Sequence, residues 1–132
     1  MKRKQKFKAW AYARDFHVPP AVLIGQMAEL LGKAEKYGVP VVGTSQDMSS
    51  GKTLDRMGLK EALRAVHTGY ANAVMVRDVF RLSEDEDALL RIMEILQDHG
   101  VFLICTEEDA HICLRTGGVY GHLYFCMNSV LP

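Results

Sequence analysis

Polar side chains that could bind phosphate follow three of the predicted strands. They lie in residues 14–17, 45–52 and 77–81 and include arginines, serines and acids. In an open parallel sheet the carboxyl ends of the strands meet at one edge, where ligands bind. Guanidinium groups hold phosphate oxygens through paired, charge-assisted hydrogen bonds. The spacing therefore predicts a site at this edge, and the plainer alternative is that loops after strands are polar in any such fold.

Two other motifs suggest different chemistries, and neither fits its pattern. Residues 49–53 (SSGKT) resemble the end of a phosphate-binding P-loop, but Gln46 stands where that loop needs glycine. Four metal-capable side chains lie near the end of the chain: His111, Cys113, His122 and Cys126. Their spacing matches no common zinc site. We therefore expect no nucleotide hydrolysis, no metal and no cofactor.

Alternating apolar strands and amphipathic helices must position these loops. Apolar runs predict four strands, at residues 7–13, 39–42, 73–76 and 101–105. Helical spacing predicts three helices, at about 20–37, 55–68 and 83–99, and residues 43–53 are predicted as a loop. This alternation is typical of an α/β fold with three αβα layers around a mainly parallel sheet of four to five strands.

Each helix has an apolar stripe that is predicted to face the sheet. The stripes are Leu23, Met27, Leu30, Leu31 and Ala34, then Leu59, Ala62, Leu63 and Val66, then Leu89, Leu90, Met93 and Leu96. Ser83 and Glu86 form a capping-box pattern, which predicts that the third helix begins at Ser83. The four acids at 84–87 suit the positive end of its dipole.

Composition and charge exclude several classes of protein. The 132 residues suit one domain, with no apolar run long enough for a membrane span and no secretory signal. Three cysteines without a CxxC pair favour a reducing cytoplasm. Five of the 16 basic side chains lie in the first eight residues, so the rest of the chain carries 11 basic and 16 acidic groups. This excess of acids argues against autonomous DNA binding by the body, and residues 1–6 are predicted to be a disordered basic arm.

Five segments carry one further, more specific pattern. They are residues 12–16 (YARDF), 47–59 (DMSSGKTLDRMGL), 80–84 (FRLSE), 100–107 (GVFLICTE) and 121–125 (GHLYF). Together they resemble the catalytic domain of the serine site-specific recombinases, the resolvase and DNA invertase family. The resemblance covers about residues 7–131, and the segment 47–59 is its most specific part. It implies a resolvase-like fold, with 119–131 as a truncated dimerisation helix.

The family's chemistry assigns roles to several of these residues. In this family a serine hydroxyl attacks a DNA phosphodiester and forms a phosphoserine link, while arginines stabilise the charge on the phosphoryl oxygens. The resemblance implies that Arg14, Arg56 and Arg81 are those arginines and that Ser50 is the family's second, non-nucleophilic serine. Gln26 matches a family glutamine after a one-residue slip.

The chain departs from the family at three positions. Phe16 stands in the nucleophile's place and has no oxygen to attack with. Phe80 replaces a carboxylate, and Glu84 replaces an arginine. These departures favour a catalytically inactive binding or assembly module, or a mobile-element remnant. It would dimerise with itself or with an active recombinase and reach DNA through that partner.

Three alternatives stay open. A displaced hydroxyl, Ser50 or its neighbours Ser45 and Ser49, could still perform phosphoryl transfer. The arginines could instead bind a phosphate-bearing metabolite unrelated to DNA. They could also only form surface salt bridges with acids of the same loops, Asp15, Asp47 and Asp78. The apolar tail 119–131 is expected to pack on its own domain or across a dimer interface.

Overall fold

The fold is built on one sheet of five strands in which every neighbouring pair runs parallel. The structure, a computed structural model, describes residues 7–50, 52 and 54–107 and the backbone of 124–126. Its strands are β1 (Ala9–Asp15), β2 (Val41–Met48), β3 (Ala73–Val76), β4 (Phe102–Cys105) and β5 (Tyr124–Cys126). They lie in the order β2-β1-β3-β4-β5, which confirms the predicted parallel sheet.

Three helices cover the two faces of this sheet. They are α1 (Pro20–Tyr37), α2 (Met57–His67) and α3 (Glu86–Asp98), and a short 3₁₀ turn, Val79–Arg81, follows β3. Leu23 and Leu30 of α1 pack on the face that presents Ala11 and Met75. The opposite face buries residues of α2 and α3 around the next side chain of β1, Tyr12. Since side chains alternate along a strand, the two clusters confirm three layers.

Two residues of the predicted apolar stripes are exposed. Leu31 of α1 is 39% exposed and Leu90 of α3 is 47% exposed, so both predictions of burial were wrong. A helix against a flat sheet buries only the middle of its apolar side, and residues at the margin of the stripe stay in solvent. In α3 the side chain of Ile92 lies in the buried position instead.

Strand β2 is longer than the sequence predicts. The predicted loop at 43–53 begins instead as strand, because β2 continues to Met48 in register with β1 as far as the pair Asp15 and Met48. Its polar residues fit because β2 is an edge strand, which leaves alternate side chains in solvent. At Gly43 a Cβ would lie 2.3 Å from the ring of Trp10, so this position has room for glycine alone.

Helix α3 begins later than its capping-box pattern predicts. Asp85, and not Ser83, is the N-cap residue, and its carboxylate accepts a hydrogen bond from the Ala88 amide at 2.9 Å. The hydroxyl of Ser83 accepts from the Asp85 amide at 3.1 Å and holds the approach to the helix. Ser83 is completely buried, and its hydroxyl accepts from an amide that lies before the first turn of α3. It therefore does not cap the amides of that turn, as Asp85 does.

The described part of the tail is a strand. Tyr124–Cys126 pair with Leu103, Ile104 and Cys105 of β4, so these three residues are not helical as the resemblance implied. The basic arm at 1–6, the candidate metal ligands His111, Cys113 and His122, and the rest of 119–131 lie outside the described residues. Within the ranges that are described, no helix is long and apolar enough to cross a membrane.

Candidate functional site

Arg14 lies near the end of β1 and binds three main-chain carbonyls from two other segments of the chain. Its guanidinium donates from Nε to the Arg81 carbonyl at 2.9 Å, from Nη1 to the Ser49 carbonyl at 2.8 Å and from Nη2 to the Phe80 carbonyl at 2.6 Å. The residue is 2% exposed. Burial lowers the pKa of the Arg14 guanidinium from its usual value, and Glu84, 3.9 Å from Nη2, acts in the opposite direction.

Arg56 precedes α2 and is also buried, at 5% exposure. Its Nη1 donates to the hydroxyl of Tyr12 at 2.8 Å, and its Nη2 donates to the Leu82 carbonyl. Burial, followed by the hydrogen bond to Asp47, raises the pKa of the Tyr12 hydroxyl well above its usual range. That hydroxyl therefore stays protonated, and it donates to Asp47 while it accepts from Arg56.

Asp47 completes this network and anchors the start of α2. Its carboxylate accepts from the Tyr12 hydroxyl at 2.6 Å and from the amides of Gly58 and Leu59 at 2.8 and 2.9 Å. The first amides of a helix have no partner within it and form its positive end. A carboxylate at this point satisfies two of them, so the sequence motif around Asp47 has a structural purpose that sequence reasoning missed.

Arg81 is the more accessible of the three arginines, at 22% side-chain exposure. Its Nη1 lies 3.5 Å from Asp15 and donates to the Arg14 carbonyl at 3.1 Å, and its Nε lies 3.5 Å from Asp78. The salt-bridge alternative therefore describes Arg81. Arg14 differs from that alternative, since it donates to three carbonyls and the acid beside it is Glu84, at 3.9 Å. The contacts of Arg56 include the Tyr12 hydroxyl and the Leu82 carbonyl. Gln26 donates to Asp15 at 2.5 Å and so joins the same edge.

The hydroxyls at this edge differ in their availability. Ser45 donates to the Gly58 carbonyl at 2.6 Å and accepts from the Trp10 indole at 2.8 Å, so it is committed to the fold. The hydroxyl of Ser49 is buried without a hydrogen-bond partner among the described atoms. Ser50 is half-buried and follows the residue whose carbonyl accepts from Arg14. Ser45 is therefore committed by its hydrogen bonds and Ser49 has a buried hydroxyl, which leaves Ser50 as the candidate against which neither observation counts.

The two phenylalanines at the departures from the family pattern both face solvent. Phe16 is 46% exposed and its ring lies 3.9 Å from that of His17, centroid to centroid. Phe80 is 53% exposed and lines a cleft of about 420 Å³ between the 3₁₀ turn and α3. Glu84, Asp85 and Glu86 line the same cleft. The sequence indicated that these acids stabilise the positive end of the helix dipole of α3, but it did not reveal the cleft with apolar residues beside them.

Gly58 is required by the close approach of α2 to β2. A Cβ at Gly58 would lie 2.6 Å from the Gln46 carbonyl oxygen and 2.9 Å from the Asp47 carboxylate. We expect Gly58→Ala to lower the free energy of unfolding by about 1–3 kcal/mol, because backbone must move. Gly32→Ala in α1 is the matched control, since nothing lies within 4 Å of its Cβ.

The control should change stability in the opposite direction. Alanine restricts the unfolded chain and favours helix, so Gly32→Ala is expected to add about 0.5–1 kcal/mol. Urea unfolding followed by circular dichroism measures both variants. Equal effects of the two substitutions would contradict the packing assigned to Gly58.

Comparison with known families and structures identifies relatives over nearly the whole chain. The family model "Resolvase, N terminal domain" matches residues 21–131. A search of curated proteins found no match. Several solved structures share the fold, each at less than 25% sequence identity.

Three of these structures show how far the likeness extends. The C-terminal catalytic domain of ISC1926 TnpA, an IS607-like serine recombinase, is 23% identical with a TM-score of 0.69, over 86% of each chain. A resolvase family site-specific recombinase from Streptococcus pneumoniae is 20% identical with a TM-score of 0.66, over 87% of this chain and 86% of that one. The N-terminal catalytic domain of TP901-1 integrase is 23% identical with a TM-score of 0.64, over 74% and 75%.

Proposed function

Because this chain belongs to the resolvase N-terminal domain family and has the fold of a serine recombinase catalytic domain, we propose that it is a catalytically inactive member. It acts as a binding or assembly module in DNA recombination. Its partners are a second copy or an active recombinase, and it reaches DNA through that recombinase.

The observation that carries the proposal is the side chain in the nucleophile's place. Serine recombination needs an oxygen there to attack phosphorus, and Phe16 supplies none. Its ring is 46% exposed and rests on His17. A hydroxyl at Ser50 would have to replace it within about 3–3.5 Å of the phosphorus and in line with the leaving oxygen.

The buried arginines support the same proposal. Three of the five N–H donors of Arg14 are spent on main-chain carbonyls, and the residue is 2% exposed. Arg56 donates to Tyr12 and Leu82 and is 5% exposed. Because both side chains are buried, a phosphate could reach these guanidiniums only after the segments that cover them had moved. In this conformation Arg14 and Arg56 stabilise the fold.

The charge around the edge also opposes the approach of DNA. Glu84 lies 3.9 Å from Arg14, and Asp15 and Asp78 lie 3.5 Å from Arg81. Acids that partner the arginines cancel the positive potential that a DNA backbone would need. The exposed Phe80 and Leu90 beside them are better suited to contact with protein.

A search for a covalent protein–DNA link tests the loss of catalysis. The chain is incubated with an end-labelled pool of random-sequence duplexes and then run on a denaturing gel. We expect no labelled protein from the natural chain and none from Ser50→Ala. A labelled band that Ser50→Ala removes would overturn the proposal in favour of a displaced nucleophile.

Sedimentation velocity tests the assembly part of the proposal in parallel. We expect the 14.8 kDa chain to sediment as a larger species, alone or when mixed with a full-length serine recombinase. A monomer under both conditions would contradict assembly and leave the adduct result to stand separately.

A further inference from the structure

Two histidines that lie 32 residues apart in the sequence meet at one end of the helical layer. His67 Nδ1, in the last turn of α2, lies 3.2 Å from His99 Nε2, at the C-cap of α3. The rings cross at 69° with centroids 5.3 Å apart, and both residues are exposed. We propose that this pair binds a divalent transition-metal ion of the zinc type. The proposal does not depend on the role assigned to the arginine edge.

The distance between the two nitrogens suits a shared metal ion. Zinc binds imidazole nitrogen at about 2.0–2.1 Å in tetrahedral geometry, which places two ligand nitrogens about 3.3–3.4 Å apart. The 3.2 Å separation of His67 Nδ1 and His99 Nε2 therefore needs a shift of only a few tenths of an ångström. Since α2 and α3 both contribute to one core cluster on the same face of the sheet, the fold itself brings the two rings to this distance.

The outer nitrogen of His99 is held as metal-ligating histidines usually are. His99 Nδ1 lies 2.8 Å from the Ile95 carbonyl oxygen, which can only accept, so this nitrogen carries the hydrogen and donates it. With the hydrogen on Nδ1, Nε2 of neutral His99 carries a lone pair, which is directed toward His67. A carbonyl behind the ring is the supporting contact that orients such ligands and raises their basicity.

Metal binding requires a change in which nitrogen of His67 carries the hydrogen. In the pair as it stands, His67 Nδ1 donates the hydrogen that His99 Nε2 accepts. A metal needs both lone pairs, so neutral His67 must carry its hydrogen on Nε2 instead, and a protonated His67 must release one proton to solvent.

The position of the pair in the fold favours a cation. The C-terminal ends of helices carry partial negative charge from their unpaired carbonyls, and here the ends of α2 and α3 lie together. In the described part of the chain no third histidine, cysteine, aspartate or glutamate completes a larger cluster.

Titration of the full chain with Zn²⁺ against a chromophoric zinc indicator tests the site. Because residues outside the described ranges include further histidines and cysteines, the result is read as a difference between variants. We expect His67→Ala and His99→Ala each to lose the same single site. If they retain residual binding, their affinity falls by more than about 100-fold, beyond what loss of a supporting contact costs a metal site.

His17→Asn is the matched control, since it removes another exposed histidine at a backbone φ of 58° that asparagine tolerates. It should bind Zn²⁺ as the natural chain does. Imidazole ¹H–¹⁵N spectra supply a second readout, in which the signals of His67 and His99 shift together on addition of Zn²⁺. Unchanged stoichiometry and affinity in both alanine variants, with unmoved signals, would overturn the proposal.

Discussion

Replacing Arg14 by alanine is expected to lower the free energy of unfolding by about 3–5 kcal/mol. The substitution removes the donor to the carbonyls of Ser49, Phe80 and Arg81. Arg14 is only 2% exposed, so water has little access to replace that donor. Each buried polar group left unsatisfied costs about 1–3 kcal/mol, and partial rehydration of the space keeps the total below the sum. Chemical denaturation followed by tryptophan fluorescence and circular dichroism measures the loss.

Two further variants separate this structural role from a role in binding phosphate. Arg64→Ala removes an exposed arginine of α2 and should change stability by less than about 0.5 kcal/mol. Arg14→Lys keeps the charge, but a single ammonium cannot match three carbonyls arranged around a planar fork, so most of the loss should remain. An Arg14→Ala protein as stable as the natural chain would contradict the structural assignment and reopen the phosphate alternative.

Replacing Asp47 by alanine is expected to lower the free energy of unfolding by about 2–4 kcal/mol. The amides of Gly58 and Leu59 lose their acceptor at the start of α2, and the buried Tyr12 hydroxyl loses the carboxylate to which it donates. Hydrogen bonds to a charged group contribute about 1.5–3 kcal/mol each, and the loss of a helix cap costs about 0.5–2 kcal/mol. The helix cap consists of the same hydrogen bonds, so the contributions do not simply add, and the expected loss lies below their sum. Equilibrium unfolding in urea measures this loss.

Asp55→Ala, in the connection between β2 and α2, is the control. Asp55 is 83% exposed and pairs with Lys60, so its loss should leave the midpoint of urea unfolding nearly unchanged. Asp47→Asn keeps one carbonyl oxygen for an amide but no charge, and it should fall between the two alanine variants. If Asp47→Ala and Asp55→Ala were equally mild, α2 would not depend on the carboxylate for its start.

The local sequence pattern predicts strand β3 and the helices, but it does not predict the length of the edge strand β2. The predicted and observed bounds of β3 coincide at 73–76, because a fully buried strand is apolar at every position. Strand β2 extends through Thr44 and Gln46, which have no apolar alternation to reveal a strand. Its extension depends on pairing with β1, a contact between residues about 30 apart.

The contacts of the site residues lay beyond any sequence pattern. The sequence pattern predicted that Arg14, Arg56 and Arg81 lie at one edge of the sheet, and the structure places all three there. Residue type could not show that Arg14 donates to main-chain carbonyls up to 67 positions away, since any residue can present a carbonyl. Nor could it show that Phe16 and Phe80 remain in solvent instead of filling a pocket.

The sequence by itself determined the family, the three-layer architecture and the absence of an oxygen at Phe16. These properties are carried by residue identity and by periodicity, which act within a few positions along the chain. The tertiary structure decided that Arg14 and Arg56 serve the fold, that Asp47 starts α2, and that His67 meets His99. Each of these depends on hydrogen bonds and packing between distant segments, whose geometry exists only once the sheet has assembled.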